Sequence, residues 1–181
     1  MVLWQMIKTW FHLADKGLED LIKFDSVNGV SYRFAKREDI KDLLEIERDV
    51  YEEIPWTYSH FYHEIVESHY AAFIVAEQKL KLIGYIGMRW DRKLTDFHVS
   101  NFIVRRNVQL QGIGSRLLFH GEELARSLKI LRLTLEVDRA NLKAQAFYRK
   151  HGFDSARIIE KYYSNGDDAL EMEKELVFEN H

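Results

Sequence analysis

The chain has 181 residues, of which 46% are apolar and 13% aromatic, so it can bury one sizeable core as a single domain. Its formal net charge of −3 does not favour direct nucleic-acid binding over a wide surface, although Arg105-Arg106 could form a local basic patch. The sequence contains no cysteine, which excludes disulfides, thiolate metal ligands and a cysteine nucleophile, and suits a cytoplasmic protein.

The first 29 residues differ from the rest of the chain. Their apolar run is interrupted by Gln5 and Lys8 and no basic segment precedes it, so neither a membrane span nor an ordinary signal peptide is expected. Apolar residues at helical spacing predict an amphipathic helix with a break near Gly17: Leu3, Ile7, Trp10, Leu18, Leu21 and Ile22. This helix would pack on the domain or on a second subunit, which would make a homodimer. Binding to a membrane surface is the alternative.

Alternating strands and helices are predicted after a linker at Val27-Asn28-Gly29, which would divide a helical extension (1–29) from the main domain (30–181). The strands are expected at residues 32–35, 72–76, 80–90, 97–104 and 131–137. Helices are expected at 38–51 and 58–67, after a glycine turn at 112–114, and after Asn141. Leu117, Leu118, Leu124, Ala125 and Leu128 give the helix after the glycine turn one apolar face.

Gly112 and Gly114 stand where a strand leads into a helix, so free backbone N–H groups and the positive helix end could meet a pyrophosphate. A dinucleotide fingerprint would need a third glycine where Leu117 stands. A nucleoside-triphosphate loop would need Gly-Lys, but Ser115-Arg116 follows Gly114. The remaining candidates are another pyrophosphate ligand or a glycine pair that only permits tight packing.

The strand at 131–137 has a leucine face and a polar face, and Glu136 points away from the leucine row. Asn141 stands at the N-cap of the next helix, and Tyr148 lies two helical turns later, so both side chains could reach one bound molecule. Capping alone would explain Asn141, and core packing would explain Tyr148.

A series of short motifs runs in order over about residues 31 to 176. They are Pro55-Trp56-Thr57, then Gln109-x-x-Gly112-x-Gly114, then Leu135-Glu136-Val137 with Asn141, then Phe147-Tyr148 with Gly152-Phe153, and finally Tyr162-Tyr163 with Gly166 and Asp168-Ala169. In this order the motifs resemble the GNAT superfamily of N-acetyltransferases. Within that superfamily they resemble the RimI branch, the ribosomal-protein-alanine N-acetyltransferases.

This resemblance implies the GNAT fold, an α/β (α+β) architecture with a mixed, mostly antiparallel central sheet flanked by helices, here with an extra N-terminal helix. It implies transfer of acetyl from acetyl-CoA to the N-terminal α-amine of a protein, with a ribosomal protein as the expected target. No metal is required. An amine that attacks a thioester must first lose a proton, and a carboxylate can remove it directly or through water.

The resemblance also implies a role for each site residue. Glu136 would be the general base, and Tyr148 would protonate the departing CoA thiolate. The cofactor would contact Asn141, the backbone of Phe102, Ile103 and Val104, and the pyrophosphate loop of Gln109, Leu110, Gln111, Gly112, Ile113, Gly114 and Ser115. Trp56, Tyr162 and Tyr163 would flank the slot for the protein N-terminus.

Several positions depart from the family pattern. Arg105-Arg106 replaces Asp-Pro, Leu110 replaces a frequent arginine, and Asp138 and Ala140 replace an arginine and a serine. Loss of the loop arginine would weaken cofactor affinity, and the other changes concern peptide preference. Glu136 and Tyr148 are retained.

Other functions remain open from the sequence. The acceptor could be a small amine, and acyl-CoA hydrolysis or aminoacyl-tRNA acetylation are further alternatives. From another class, the domain could bind acetyl-CoA without turnover. His60 and His63 do not fit a zinc-protease motif, because Glu67 stands where His63-Glu64 would require the second histidine.

Overall fold

The computed structural model describes residues 17–51, 56–91 and 93–177. Within them one eight-stranded sheet runs in the order β1-β2-β3-β4-β5-β6-β8-β7. The strands are β1 (Ser26–Val27), β2 (Val30–Phe34), β3 (Ala71–Gln78), β4 (Lys81–Trp90), β5 (Phe97–Val104), β6 (Arg132–Asp138), β7 (Asp154–Ile159) and β8 (Ala169–Glu175). All neighbouring strands are antiparallel except β5 and β6.

Helices cover both faces of the sheet. They are α1 (Ile40–Val50), α2 (Tyr58–Tyr62, continued by a π turn at His63–Glu67), α3 (Ile113–Ser127) and α4 (Leu142–Lys150). The side chains of Thr57 and Asn141 accept hydrogen bonds from the first turns of α2 and α4, and Gly112 is the N-cap of α3.

Two apolar clusters lie on opposite faces of the sheet. The larger one joins α3 and α4 to the sheet and includes Leu117, Leu124, Leu133, Leu135 and Tyr148. The smaller one joins α1 and α2 to β3, β4 and β5 and includes Ile40, Leu43, Phe61, Tyr85 and Ile103. Each helix therefore has one apolar stripe buried against the sheet, as its residue spacing requires.

Strand β5 changes the face of its side chains part-way along. Phe97 and Val99 pack in the cluster of α3, whereas Ile103, two alternations later, packs in the cluster of α1. Met88 pairs with Val99 and Gly87 pairs with Asn101, so Ser100 is an extra residue in β5. This β-bulge reverses the alternation and returns the side chain of Phe102 to the α3 face.

The predicted strands and helices after residue 30 are confirmed, with ends that move by a few residues. The mixed, mostly antiparallel sheet flanked by helices is confirmed as well. The tyrosines at 162 and 163 lie in the loop of the β7–β8 hairpin, where Gly166 N donates to Tyr163 O at 2.9 Å.

The N-terminal segment differs in part from its prediction. Residues 1–16 of the expected helix lie outside the described residues. Leu18–Asp20 form a single 3-10 turn, and residues 27–29, predicted as a linker, instead belong to the β1–β2 hairpin. Ile22 is buried in the larger cluster, and Leu18, Leu21 and Phe24 pack against it, so residues 18–24 lie on the sheet.

None of the helices in the described ranges is both long and apolar enough to cross a membrane.

The space around two glycines shows how closely the sheet and its helices are packed. A Cβ on Gly84 would lie 2.8 Å from the carbonyl oxygen of Ile103, whereas a Cβ on Gly121 would lie 2.7 Å from the flexible side chain of Met88. We expect Gly84→Ala to lower the free energy of unfolding by about 1–3 kcal/mol, because backbone must shift. Gly121→Ala should change it by less than about 1 kcal/mol, because Met88 can move and alanine favours the helix. Urea denaturation of both variants checks this, and equal losses would contradict it.

Candidate active site

The two parallel strands at the centre of the sheet separate after a short contact. β5 and β6 pair only from Phe97 with Leu133 to Val99 with Leu135. Beyond the bulge, β5 keeps its pairing with β4 up to Val104 but has no strand partner on its other side in the described part of the chain. The result is a cleft with an unpaired backbone edge.

Phe102 and Val104 direct their backbone groups into this cleft. Arg105 N donates to Ile83 O at 2.9 Å, so Arg105 and, by alternation, Ile103 direct their backbone toward β4. Residues 102 and 104 must then face the opposite edge, and Gln109 Nε2 donates to Val104 O from that side at 3.0 Å. The structure therefore brings Phe102 and Val104 to the cleft, whereas the side chain of Ile103 is buried against α1.

The loop before α3 presents free N–H groups at one end of the cleft. Leu110 and Gly112 both have positive φ, of 62° and 85°, which folds the loop back over the helix start. The first backbone bond into the helix is Arg116 N to Gly112 O at 3.0 Å, so the N–H groups of Ile113, Gly114 and Ser115 have no partner within the helix. Such a helix start favours an anion.

The residues present fit a coenzyme with a pyrophosphate and an amide-containing arm. A Cβ on Gly114 would meet Phe102 and Phe147 only at ordinary contact distances of 3.5 and 3.6 Å, so packing within the protein does not demand glycine there. The exposed loop residues Gln109, Leu110 and Gln111 surround this position, whereas Ile113 is buried beneath it.

Two predicted cofactor residues make specific contacts within the protein. Asn141 Oδ1 accepts from Ala144 N at 3.0 Å as the N-cap of α4. The hydroxyl of Ser115 lies 3.0 Å from His151 Nε2. Arg105 and Arg106, the predicted basic patch, are both held by carbonyls, since Arg105 donates to Leu82 O and Arg106 donates to Val50 O.

Glu136 is the centre of a hydrogen-bonded network on the α1 face of the sheet. Its Oε2 lies 3.2 Å from His98 Nε2 and accepts from Tyr162 OH at 3.2 Å. His98 Nδ1 lies 3.0 Å from Thr134 Oγ1, whose hydroxyl donates to Asp96 at 2.8 Å. Because the threonine hydrogen points to Asp96, His98 must donate to Thr134 through Nδ1. A bond from Nε2 to the carboxylate then requires the imidazolium form.

The environment keeps Glu136 ionised. Burial raises the pKa of Glu136, but the hydrogen bonds and charge of His98, together with Tyr162, outweigh burial and leave the pKa below its ordinary value. Burial lowers the pKa of His98, but its bond to Glu136 and the charges of Glu136 and Asp96 leave that pKa raised. Both shifts favour a carboxylate bonded to an imidazolium, in agreement with the hydrogen-bond geometry.

Tyr148 of α4 lines the α3 side of the cleft. Its ring contacts those of Phe102, Phe147 and Phe153 with centroid distances of 6.1, 5.4 and 5.7 Å. Burial raises the pKa of Tyr148, so its phenol stays protonated at neutral pH. Its hydroxyl has no hydrogen-bond partner among the described residues and could donate to a ligand.

The predicted acceptor residues divide into two groups. Tyr162 bonds the carboxylate of Glu136, and its ring meets that of Tyr163 edge-on at 5.1 Å. Trp56 instead packs half-buried on Phe61 and Phe73, with centroids 5.2 and 5.8 Å away, in the cluster of α1 and α2.

The sequence did not reveal the partners of Glu136. The alternation of Phe97, His98 and Val99 indicates that His98 leaves the core, but the register that sets it beside Glu136 forms only when β5 pairs with β6. It also missed Glu47, which is fully buried and accepts from Tyr85 OH at 2.6 Å and Asn101 Nδ2 at 3.4 Å. Burial raises the pKa of Glu47 despite these bonds.

No group of three or more histidine or carboxylate side chains suited to a metal ion occurs within residues 17–51, 56–91 and 93–177. His60 caps the first turn of α2, and His63 lies 3.0 Å from Glu67.

Comparison with known proteins gives a consistent result. Residues 37–153 match the Acetyltransferase (GNAT) family. The chain is 36% identical over 141 residues to a putative ribosomal protein bS18-alanine N-acetyltransferase of Bacillus subtilis, covering 77% of this chain and 91% of that protein. It is 27% identical over 162 residues to an N-alpha-acetyltransferase of Sulfurisphaera tokodaii, covering 82% and 95%.

A similar fold occurs in the PaiA N-acetyltransferase of Thermoplasma acidophilum, solved in complex with coenzyme A. Its TM-score is 0.69 at 23% identity, covering 81% of this chain and 99% of that one. With more than half of its length matched to the family, the chain belongs to the GNAT family and is an acetyl-CoA-dependent N-acetyltransferase of the RimI-like type.

Proposed function

We propose that this enzyme acetylates the N-terminal α-amine of a protein, with a ribosomal protein as the expected target in the cytoplasm. The observation that carries the proposal is the 3.2 Å bond from Tyr162 to Glu136, which joins the predicted acceptor loop to the predicted base. The name of the Bacillus subtilis relative supports the acceptor class.

Acetyl-CoA would supply the acetyl group as a thioester. The N–H groups of residues 113–115 would bind its pyrophosphate, and the free edge at Phe102 and Val104 would pair with its amide-containing arm. Asn141 would add a side-chain contact through its amide nitrogen, since its oxygen caps α4.

Glu136 would take the proton from the acceptor's ammonium group, directly or through water, which frees the nitrogen lone pair for attack. As the new C–N bond forms and the C–S bond breaks, the phenol of Tyr148 would donate its proton to the leaving sulfur. The first proton of the ammonium is then on Glu136, and coenzyme A leaves as a thiol. The second proton, which the nitrogen loses as it becomes an amide, would return to Tyr148 through water, and Glu136 would release its proton to solvent.

The acceptor's first residues would enter between two aromatic elements. Tyr162 and Tyr163 lie in the β7–β8 loop, where Tyr162 bonds Glu136, and Trp56 lies just before α2, against Phe73. Tyr51, at the end of α1, lies near Tyr148 and Tyr163, since an ionised Tyr51 would raise the pKa of both. These rings would enclose a small first side chain and leave the amine free to reach Glu136.

Removal of either proton-transferring group should abolish most turnover and leave acetyl-CoA binding intact. For Glu136→Gln and Tyr148→Phe we expect kcat to fall by about 10²–10⁴-fold, because each loses general acid–base catalysis. Glu171→Gln is a matched control, since Glu171 lies directly opposite Glu136 on β8 and bonds Arg157.

Steady-state kinetics and calorimetric titration with acetyl-CoA check this prediction. If the wild type binds acetyl-CoA but shows no turnover with any amine, the domain is a non-catalytic binding module. If Glu171→Gln lowers kcat as much as Glu136→Gln does, Glu136 is not the base.

The acceptor class is tested with labelled acetyl-CoA. We expect label on peptides with free N-termini and small first residues, and none on the same peptides with a blocked N-terminus. Polyamines and other small amines serve as competitors in the same assay. Labelling of polyamines with no labelled peptide would contradict the proposal and support the small-amine alternative.

His98 should set the acid limb of the pH–rate profile. Its imidazolium lowers the pKa of Glu136, so the base stays ionised, and the enzyme active, to a lower pH than an isolated carboxylate would allow. In His98→Gln the neutral amide replaces the imidazolium, so the acid limb of kcat should move to higher pH. Thr134→Val, which removes only the bond to Nδ1, should move it less. An acid limb that stays in place in His98→Gln would show that the pair does not control the base.

A further inference from the structure

A hydrogen bond between two helices lies directly behind the pyrophosphate loop. Ser115 is the third residue of α3, and its hydroxyl is 3.0 Å from Nε2 of His151, the residue that ends α4. The other ring nitrogen, Nδ1, lies 2.8 Å from the carbonyl oxygen of Phe147. A carbonyl only accepts, so Nδ1 carries a hydrogen. In the neutral ring Nε2 is then an acceptor, and Ser115 must donate its hydrogen to His151.

Protonation of His151 reverses this bond. With both nitrogens protonated, Nε2 donates to the serine oxygen, and the hydroxyl hydrogen of Ser115 becomes free to point elsewhere. Side chains at the third helical position reach back toward the helix start, as in a capping box. A pyrophosphate at the start of α3 lies in that direction, so the protonated pair adds one hydrogen bond and one nearby positive charge to an anion there.

The surroundings place His151 beside the cofactor cleft. Its ring lies on that of Phe147, with centroids 4.3 Å apart, and Phe147 forms the wall next to Gly114. His151 is only partly buried, so protons reach it from solvent.

Charged side chains nearby have other partners. Arg116 of α3 is paired with Asp25. On α4, Arg149 donates to Gln145 and Ser155. Lys150, which directly precedes His151 in the chain, is exposed. Lys174 of β8, which lies against Gly152, is paired with Glu122 at 2.6 Å. Within the described ranges His151 forms no ion pair, so an added anion would be its first.

We propose that Ser115 and His151 form a proton-linked part of the cofactor site, in which binding of the coenzyme pyrophosphate is accompanied by uptake of a proton on His151. This rests on the proposed placement of the pyrophosphate at the start of α3. By linkage, a ligand that favours the protonated ring binds more tightly as pH falls. Affinity for the coenzyme therefore decreases as pH rises and the ring loses its second proton.

Calorimetric titration with dephospho-coenzyme A tests the proposal. This ligand lacks the 3′-phosphate, a monoester that would itself titrate near neutrality, and keeps the pyrophosphate. Titrations at pH 7 in two buffers of different ionisation enthalpy give the number of protons taken up. We expect net uptake in the wild type and an affinity about fivefold tighter at pH 6 than at pH 8.

Three variants identify the group responsible. In His151→Gln the amide can donate to Ser115 at every pH, so binding should persist while proton uptake and its pH dependence disappear. Ser115→Ala should bind more weakly, also without uptake. His63→Gln, which changes a histidine on the π turn after α2, is the matched control and should behave as the wild type.

Two outcomes would overturn the inference and are distinguishable. Binding of dephospho-coenzyme A with equal proton uptake in the wild type and His151→Gln would refute the role of His151 and leave the acetyltransferase proposal intact. Failure of both dephospho-coenzyme A and acetyl-CoA to bind the wild type would refute the cofactor site itself, and with it the proposed function.

Discussion

The separation of β5 from β6 is the constraint on which the rest of the site depends. Two parallel strands that stayed paired would satisfy each other's backbone groups and leave no edge for a ligand. Here the pairing ends after Val99 and Leu135, and the bulge at Ser100 follows at once. The bulge keeps β5 paired with β4 and reverses the faces of the sheet to which its side chains point. One short segment therefore ends the pairing with β6 and returns the side chain of Phe102 to the α3 face.

The two carboxylates near the cleft show how environment assigns different roles to one side-chain type. The side chain of Glu136 keeps 15% of its surface exposed, and its bonds to His98 and Tyr162 lower its pKa. Glu47 is fully enclosed, and burial raises its pKa although Tyr85 and Asn101 donate to it. The first arrangement suits a group that must exchange protons with a substrate. The second suits an anchor that holds the end of α1 to β4 and β5.

Both halves of the proposed reaction depend on hydrogen bonds between separate elements. On the acceptor side, the chain from Asp96 through Thr134 and His98 fixes the orientation of the base before any substrate arrives. On the cofactor side, Ser115 and His151 connect the start of α3 to the end of α4. In each case a histidine is hydrogen-bonded to the side chain that would meet the ligand, which is Glu136 for His98 and Ser115 for His151. Protonation of the histidine changes the hydrogen bonding or charge of that side chain.

The sequence by itself determined the order of elements after residue 30 and the glycine turn, because these depend on local spacing and turn chemistry. Its resemblance to a family pointed to Glu136 and Tyr148 as the proposed catalytic pair. Only the tertiary structure decided the cleft, the bulge, the partners of Glu136, and that Phe102 and Val104, but not Ile103, face the ligand edge. Strand register and hydrogen bonds between distant residues are fixed by packing of the whole sheet. His98 and Glu136, 38 positions apart, therefore meet only after β5 and β6 pair.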